Sequence, residues 1–193
     1  HAVEVLGPRL NGSDESAELF HRAIESPVET PPLSRLLDGC ASVCILIPDE
    51  TRKDVAAELL PLLMPLLSEY KVNVGVASGK HPVRPEPGDR WRHDAQAGDL
   101  IFVGTTPRGT PVRFPPKVLE ADLRICLGEI RPHYFAGYAG GAKTLFPGVA
   151  GAEGIWQNHT LKAASGARLG VVDGNPCRED MEAAAALAGE TFI

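Results

Sequence analysis

Three histidines and one lysine stand in settings unlike the rest of the chain. His81 closes the stretch SGKH and His133 closes RPH. Lys143 follows a GxxGG cluster within RPHYFAGYAGGAKTLFPGVAGAEGIWQNH, and that stretch ends on His159. Two histidines are suitable equipment for general acid–base work, because imidazole titrates near neutral pH. A lysine held against a bound group becomes a nucleophile once desolvation lowers its pKa. Gly137, Gly140 and Gly141 let the backbone approach a ligand closely or adopt positive φ. The glycine spacing is neither GxGxxG nor a Walker loop, since Lys143 lies outside a GK[ST] sequence. His159 by itself makes no closed metal site and needs donors from a cofactor or from elsewhere in the protein.

PDETR at 48–52 adds a further group. Asp49 and Thr51 suit a helix start, and with Arg52 the same stretch suits a phosphate or carboxylate. Each feature also has a plainer reading. These are a capped helix with a solvated Arg52, loop histidines at 81 and 133, a tight turn with an exposed lysine, and a His159 packed on the core beside Ile155 and Trp156. His21 and His93 read as ordinary histidines.

The elements that must position these residues alternate between strand and helix. ASVCILIP (41–48) is an almost unbroken apolar run, which suits a buried parallel strand. Helical spacing of apolar residues follows over 52–70, interrupted by Pro61 and Pro65, which predict a kink or two short helices. VNVGVA (72–77) completes a β-α-β unit. DLIFVG (99–104) and TPVRF (110–114) flank TPRG as a hairpin, and ADLRICLGEI (121–130) reads as another strand. Helices are expected at GIWQNHTLKAA and EDMEAAAALAG, the latter with Gly189 as C-cap, and ETFI begins a further strand. The first forty residues suggest an edge strand and a packing helix, AELFHRAI.

The fold class is therefore α/β, a mostly parallel, Rossmann-like sheet flanked by helices with a β-hairpin insertion. In such sheets ligands bind outside the carboxyl ends of the strands. PDETR, SGKH and RPH each follow a predicted strand, so Asp49, Thr51, Arg52, His81 and His133 can share one site.

The 193 residues suit one domain, or one domain and part of another, with 44% apolar and 23% charged residues. A net charge of −6, with no basic block, argues against nucleic acid as partner. No apolar run approaches membrane-spanning length and no apolar signal segment precedes the fold, so a cytoplasmic location is expected. Cys44 and Cys126 sit in apolar runs as small core residues, and the four cysteines lack paired zinc spacing.

The segment HYFAGYAGGAKTLFPGVAGAEGIWQNH, followed by GNPCREDMEAA, resembles the nickel-dependent lactate racemase family. DETR and SGKH upstream fall in the same order, so the resemblance covers roughly residues 40–190. It implies an isomerase, a racemase or epimerase of lactate or a related 2-hydroxy acid. Lys143 takes the place of the family's lysine, joined by a thioamide to a pincer nucleotide derived from nicotinic acid. That pyridinium thioamide/thiocarboxylate mononucleotide holds nickel through two sulfurs and a ring carbon, and His159 matches the remaining protein ligand. Imidazole and sulfur donors suit that metal. His81 and His133 match the acid–base pair, one for each enantiomer's hydroxyl, while hydride leaves and returns to the substrate carbon. Gly140, Gly141, Asp49 and Thr51 fall at cofactor positions, and Arg52 at a clamp for the substrate carboxylate.

Cofactor-synthesis enzymes are implied as partners. Where the family often has Pro after TR this chain has Lys53, and where it often reads HRP this chain reads His81-Pro82-Val83. Both departures bear on the substrate. Family members are about twice as long, so residues 1–193 correspond to the N-terminal cofactor-binding domain, without the C-terminal domain that closes the site. On this reading the chain does not turn over by itself. Two alternatives are a nicotinamide-dependent oxidoreductase, for which the acidic fingerprint residue is missing, and a nucleotide- or anion-binding module without catalysis.

Overall fold

The structure, a computed structural model, describes residues 16–51, 55–82 and 88–193. It opens with α1 (Ser16–Glu25) and the short α2 (Leu33–Leu36). SVCILIP then forms the central strand β1 (Ser42–Pro48), whose five inner residues are all buried. A strand with no polar face must be covered on both sides. Val43, Ile45 and Ile47 enter one core and Cys44 and Leu46 the other, the alternation of a pleated strand.

α3 (Val55–Leu63) leads through a 3₁₀ turn, Met64–Leu67, to β2 (Lys71–Ala77). Pro61 lies inside α3 and Pro65 in the turn, so the expected break falls where prolines withhold N–H donors. β3 (Trp91–Arg92) follows, then the antiparallel hairpin β4 (Ile101–Thr105) and β5 (Pro111–Phe114). The chain continues through α4 (Pro116–Leu119), β6 (Leu123–Cys126), and a small antiparallel pair, β7 (Pro132–His133) and β8 (Gly137–Tyr138). It ends with α5 (Ala142–Leu145), α6 (Ala152–Thr160), α7 (Pro176–Ala186) and β9 (Thr191–Phe192).

The main sheet has the order β3-β2-β1-β6-β9, and every pair is parallel. One face packs Phe20, Leu33, Leu60 and Leu63 of the first three helices. The other packs Phe114 of the hairpin with Phe146, Ile155 and Met181.

Two details differ from the sequence reading. β3 joins the sheet edge although it has only two residues, because the Trp91 ring lies flush on Gly75, where a Cβ would come within 2.2 Å of it. The strand expected over 121–130 stops at Cys126. Leu127 still donates to Leu46 O at 2.9 Å, but past Gly128 the chain passes close against Gly140 and Thr144 rather than along β1. Residues 16–41 hold two helices and no strand. The remainder of the N-terminal segment, where an edge strand was expected, lies outside the described residues.

Candidate active site

Three loops build the site. β1 and β2 run in register with Pro48 opposite Ala77, so Asp49 and Ser78 leave the sheet side by side. β6 pairs with β1 on its other edge, which makes β1 the strand at which the chain order reverses. In an open α/β sheet that is where the crevice forms. A cleft of about 330 Å³ opens there, lined by Asp49, His81, His133, Gly140, Lys143 and His159. Its volume lies within the ~300–1,000 Å³ common to small-molecule sites. Thr51 and Gly141 adjoin this lining without belonging to it. Arg52, like Lys53 and Val83, lies outside the described residues.

Asp49 is 5% exposed, and its two oxygens are engaged separately. Oδ1 accepts from the backbone N–H of Thr51 at 3.2 Å and from its hydroxyl at 2.5 Å. Oδ2 meets His81 Nδ1 at 2.5 Å. Burial alone would raise the Asp49 pKa, but the hydrogen bonds from His81 and Thr51 outweigh it and hold the carboxyl below its ordinary 3.8. Asp49 is therefore an anion at neutral pH. The imidazole it holds lines the cleft and is about half exposed.

His133 sits at the end of β7 in a different environment. Its Nδ1 accepts the backbone N–H of Ala136 at 3.3 Å. The ring stacks on Tyr134 at 5.0 Å and meets the edge of Phe135 at 4.6 Å. Phe135, 4% exposed, also meets the His159 ring at 5.1 Å. One buried phenyl ring thus spaces two cleft histidines.

His159 lies in the last turn of α6. Burial pushes its pKa below the ordinary 6.5; the Ile155 carbonyl one turn earlier opposes this, and Lys80, Lys143 and Lys162 add to it. Its Nδ1 is buried without a hydrogen bond of ordinary geometry. The result at neutral pH is an uncharged imidazole with one ring nitrogen's lone pair to give.

Lys143 is half-buried on the one-turn helix α5. Gly140 (φ +79°) and Gly141 (φ +60°) form the turn before it, a left-handed conformation that a side chain disfavours. A Cβ on Gly140 would also lie 3.0 Å from the Glu129 carbonyl, so this glycine lets two site loops touch. The corresponding spot on Gly141 faces Arg178 and Ile193, away from the cleft.

Several lining residues were not singled out in the sequence. Lys80, Arg131 and Lys162 bring positive charge, and Glu129 lies 3.8 Å from Arg131. With Asp49 bound to His81, the lining favours an anionic ligand. Lys80 and Arg131 stand inside the quoted SGKH and RPH motifs, and Lys162 is three residues past His159, so adjacency was the available signal. Glu129 had none. Among the described residues no three His, Cys, Asp or Glu side chains converge as a metal site, and no helix is long and apolar enough to cross a membrane.

Residues 1–170 match the family model described as the lactate racemase N-terminal domain. The chain is 31% identical to the lactate racemase of Thermoanaerobacterium thermosaccharolyticum, an alignment covering 96% of this chain and 48% of that protein. It is 26% identical to the lactate racemase of Lactiplantibacillus plantarum, covering 91% and 46% respectively. The structure matches that of the lactate racemase apoprotein from T. thermosaccharolyticum with a TM-score of 0.84 at 29% identity, over 91% of this chain and 47% of the other. A protein from Thermotoga maritima shares the fold, with a TM-score of 0.63 at 23% identity over 80% of this chain and 46% of that one. The chain spans about half the length of the curated relatives it matches.

Proposed function

Because this chain belongs to the lactate racemase N-terminal domain family, we propose that it is the cofactor-binding part of a nickel-pincer-nucleotide racemase or epimerase acting on a 2-hydroxy acid. One observation carries the reading: His81, His133, Lys143 and His159, far apart in the chain, line a single cleft at the carboxyl ends of adjacent parallel strands.

The residues present fit the implied group. Lys143 offers an amine for covalent attachment, and Gly140 clears the backbone beside it. Lys80, Arg131 and Lys162 provide positive charge for a nucleotide phosphate. His159 has a buried, unsatisfied ring nitrogen and a pKa pushed down by burial, the condition of a neutral imidazole ligand. When bound, the group supplies a reversible two-electron acceptor for the substrate's Cα–H bond.

The chain's own part is binding, orientation and proton transfer. His81 and His133 serve the substrate hydroxyl, taking its proton as the Cα–H bond breaks and returning it when that bond re-forms on the opposite face. The substrate passes through a planar 2-keto acid and regains one proton and one hydride, so the net change is configuration alone. Asp49 and Thr51, expected beside the cofactor, support His81 from behind. Turnover is assigned to a protein of the relatives' full length, loaded by cofactor-synthesis enzymes. Four free cysteines, three of them buried, accord with a reducing, cytoplasmic setting.

The test is a peptide map over Lys143 and a nickel analysis, on protein produced together with cofactor-synthesis enzymes. The expected result is a nucleotide-sized, sulfur-containing adduct on Lys143, with nickel retained by the wild type and lost from His159→Ala. An unmodified Lys143 in folded protein, from a host that loads a known racemase, would overturn the reading and favour a reversible nucleotide binder.

A further inference from the structure

The two acid–base histidines of the cleft, His81 and His133, present Nδ1 to opposite kinds of partner. His81 Nδ1 faces the Oδ2 of a buried, ionised carboxylate at 2.5 Å. An ionised carboxylate only accepts hydrogen bonds. Nδ1 of His81 therefore carries a proton, and Nε2 of the neutral ring carries the lone pair. His133 Nδ1 instead receives the backbone N–H of Ala136 at 3.3 Å. A backbone N–H only donates, so Nδ1 holds the lone pair there and the proton of the neutral ring sits on Nε2. The ring has little freedom to turn over, because Tyr134 stacks on it and Phe135 abuts its edge.

We propose that the site holds its two acid–base histidines in opposite tautomers, His81 as proton acceptor and His133 as hydrogen-bond donor, and that Asp49 is the positioning residue that sets the first. This rests on the acid–base roles proposed above. When His81 Nε2 takes the hydroxyl proton, the ring becomes an imidazolium and its new charge lies against the Asp49 carboxylate. Protonating His133 at Nδ1 would instead oppose two N–H groups across 3.3 Å. His133 therefore acts as a neutral donor to the substrate oxygen, as a neutral imidazole can when it polarises a carbonyl. To act as a base it must first release Ala136 and move its proton to Nδ1. The two faces of the site are thus chemically unequal, although they serve mirror-image substrates. Detailed balance still requires equal kcat/KM for the two enantiomers of a substrate with one stereocentre, so the inequality appears in kcat and KM separately.

Thr51 makes the test decisive. Both Thr51 donors address Asp49 Oδ1. In Asp49→Asn the amide oxygen is required at that position, and the amide NH₂ is turned toward His81. That group donates, so Nδ1 must accept and the proton of His81 moves to Nε2. Two-bond ¹H–¹⁵N correlations of the imidazole rings, recorded on the ¹⁵N-labelled full chain at a pH where imidazoles are neutral, report the tautomer directly. Peaks are assigned with His81→Gln and His133→Gln.

The expected wild-type spectrum shows His81 protonated on Nδ1 and His133 on Nε2. Asp49→Asn should convert His81 to the Nε2–H form and leave His133 unchanged. Finding both histidines in the same tautomer in the wild type would overturn the proposal without any variant. So would a His81 that stays Nδ1-protonated in Asp49→Asn. In the loaded, full-length enzyme the same substitution should lower kcat/KM alike for both enantiomers by a factor on the order of 10⁴, the loss such a carboxylate-to-amide change causes in a Ser-His-Asp triad. The ring spectra need no cofactor, so an unmodified Lys143 would remove the racemase reading and leave the tautomers measurable.

Discussion

Gly148 forms the floor of the cleft, and filling the space beside it should disturb both sides of the site together. Its N–H donates to the Lys143 carbonyl at 3.2 Å, and its own carbonyl accepts from Gly79 at 2.8 Å. It therefore ties the helix that bears Lys143 to the loop that bears His81. A Cβ at this position would lie 2.0 Å from the Thr144 carbonyl oxygen and 3.0 Å from the Ala77 Cβ. An ordinary C···O contact is about 3.3 Å, so in Gly148→Ala the methyl and the 2.0 Å carbonyl must part by roughly 1.3 Å. The obstacle is backbone, which cannot rotate aside. Overpacking of this kind costs about 1–3 kcal/mol, and the upper part of that range applies when no side chain can yield. Removing a glycine from the unfolded chain returns about 0.4–1 kcal/mol. A net loss of about 2 kcal/mol lowers Tm by roughly 4–8 °C in a chain of this size. Gly98→Ala is the matched control, since its added methyl meets nothing within 4 Å, and its Tm should equal or slightly exceed that of the wild type. Calorimetric melts of the three proteins decide the matter. A Gly148→Ala variant that melts with Gly98→Ala would refute the packing described for the cleft floor.

Two further predictions concern the supports of the site. His93 is 1% exposed, and burial pushes its pKa below 6.5 against the opposing pull of the Ala150 carbonyl and Asp94; His159 shifts the same way. The unfolded chain therefore binds protons that the folded chain refuses, so stability is full above 6.5 and falls as the pH drops below it. Tm should decline as pH is lowered from about 7 to about 5, and His93→Gln should flatten part of that slope; an unchanged slope would contradict the assignment. Asp180, 1% exposed, accepts from Thr106 at 2.5 Å, Thr110 at 2.7 Å and Asn158 at 2.8 Å, joining the β4–β5 hairpin, α6 and α7. Asp180→Ala strands these donors and should cost about 3–5 kcal/mol in equilibrium urea unfolding, and a loss under 1 kcal/mol would mean that the network is not dry.

The location of the site was legible because strand ends are legible. ASVCILIP, VNVGVA and the start of ADLRICLGEI show as apolar runs, and in a parallel sheet the residues just beyond such runs share one edge. That argument alone brings Asp49, His81 and His133 together. Contacts that depend on strand register leave no such trace in the sequence. Asp49 read as an anion-site or helix-cap residue because its partner is 32 positions away, and only the pairing of Pro48 with Ala77 sets the two loops side by side. β3 was hidden for a similar reason, since its signal is divided between Gly75 and Trp91. The overlong reading of β6 has a different cause. LGEI continues an apolar pattern, and nothing local announces that Gly128 will pass against Gly140.

These misses share a consequence for function. Residue type and position along a strand identify which groups can meet a ligand, but protonation depends on what stands behind each group. His81 and His133 look alike in sequence, each a histidine beside a proline just past a strand. One is backed by a carboxylate and the other by a backbone N–H. That difference, invisible in the motifs, decides which of the two can hold a substrate proton without first rearranging its own hydrogen bond.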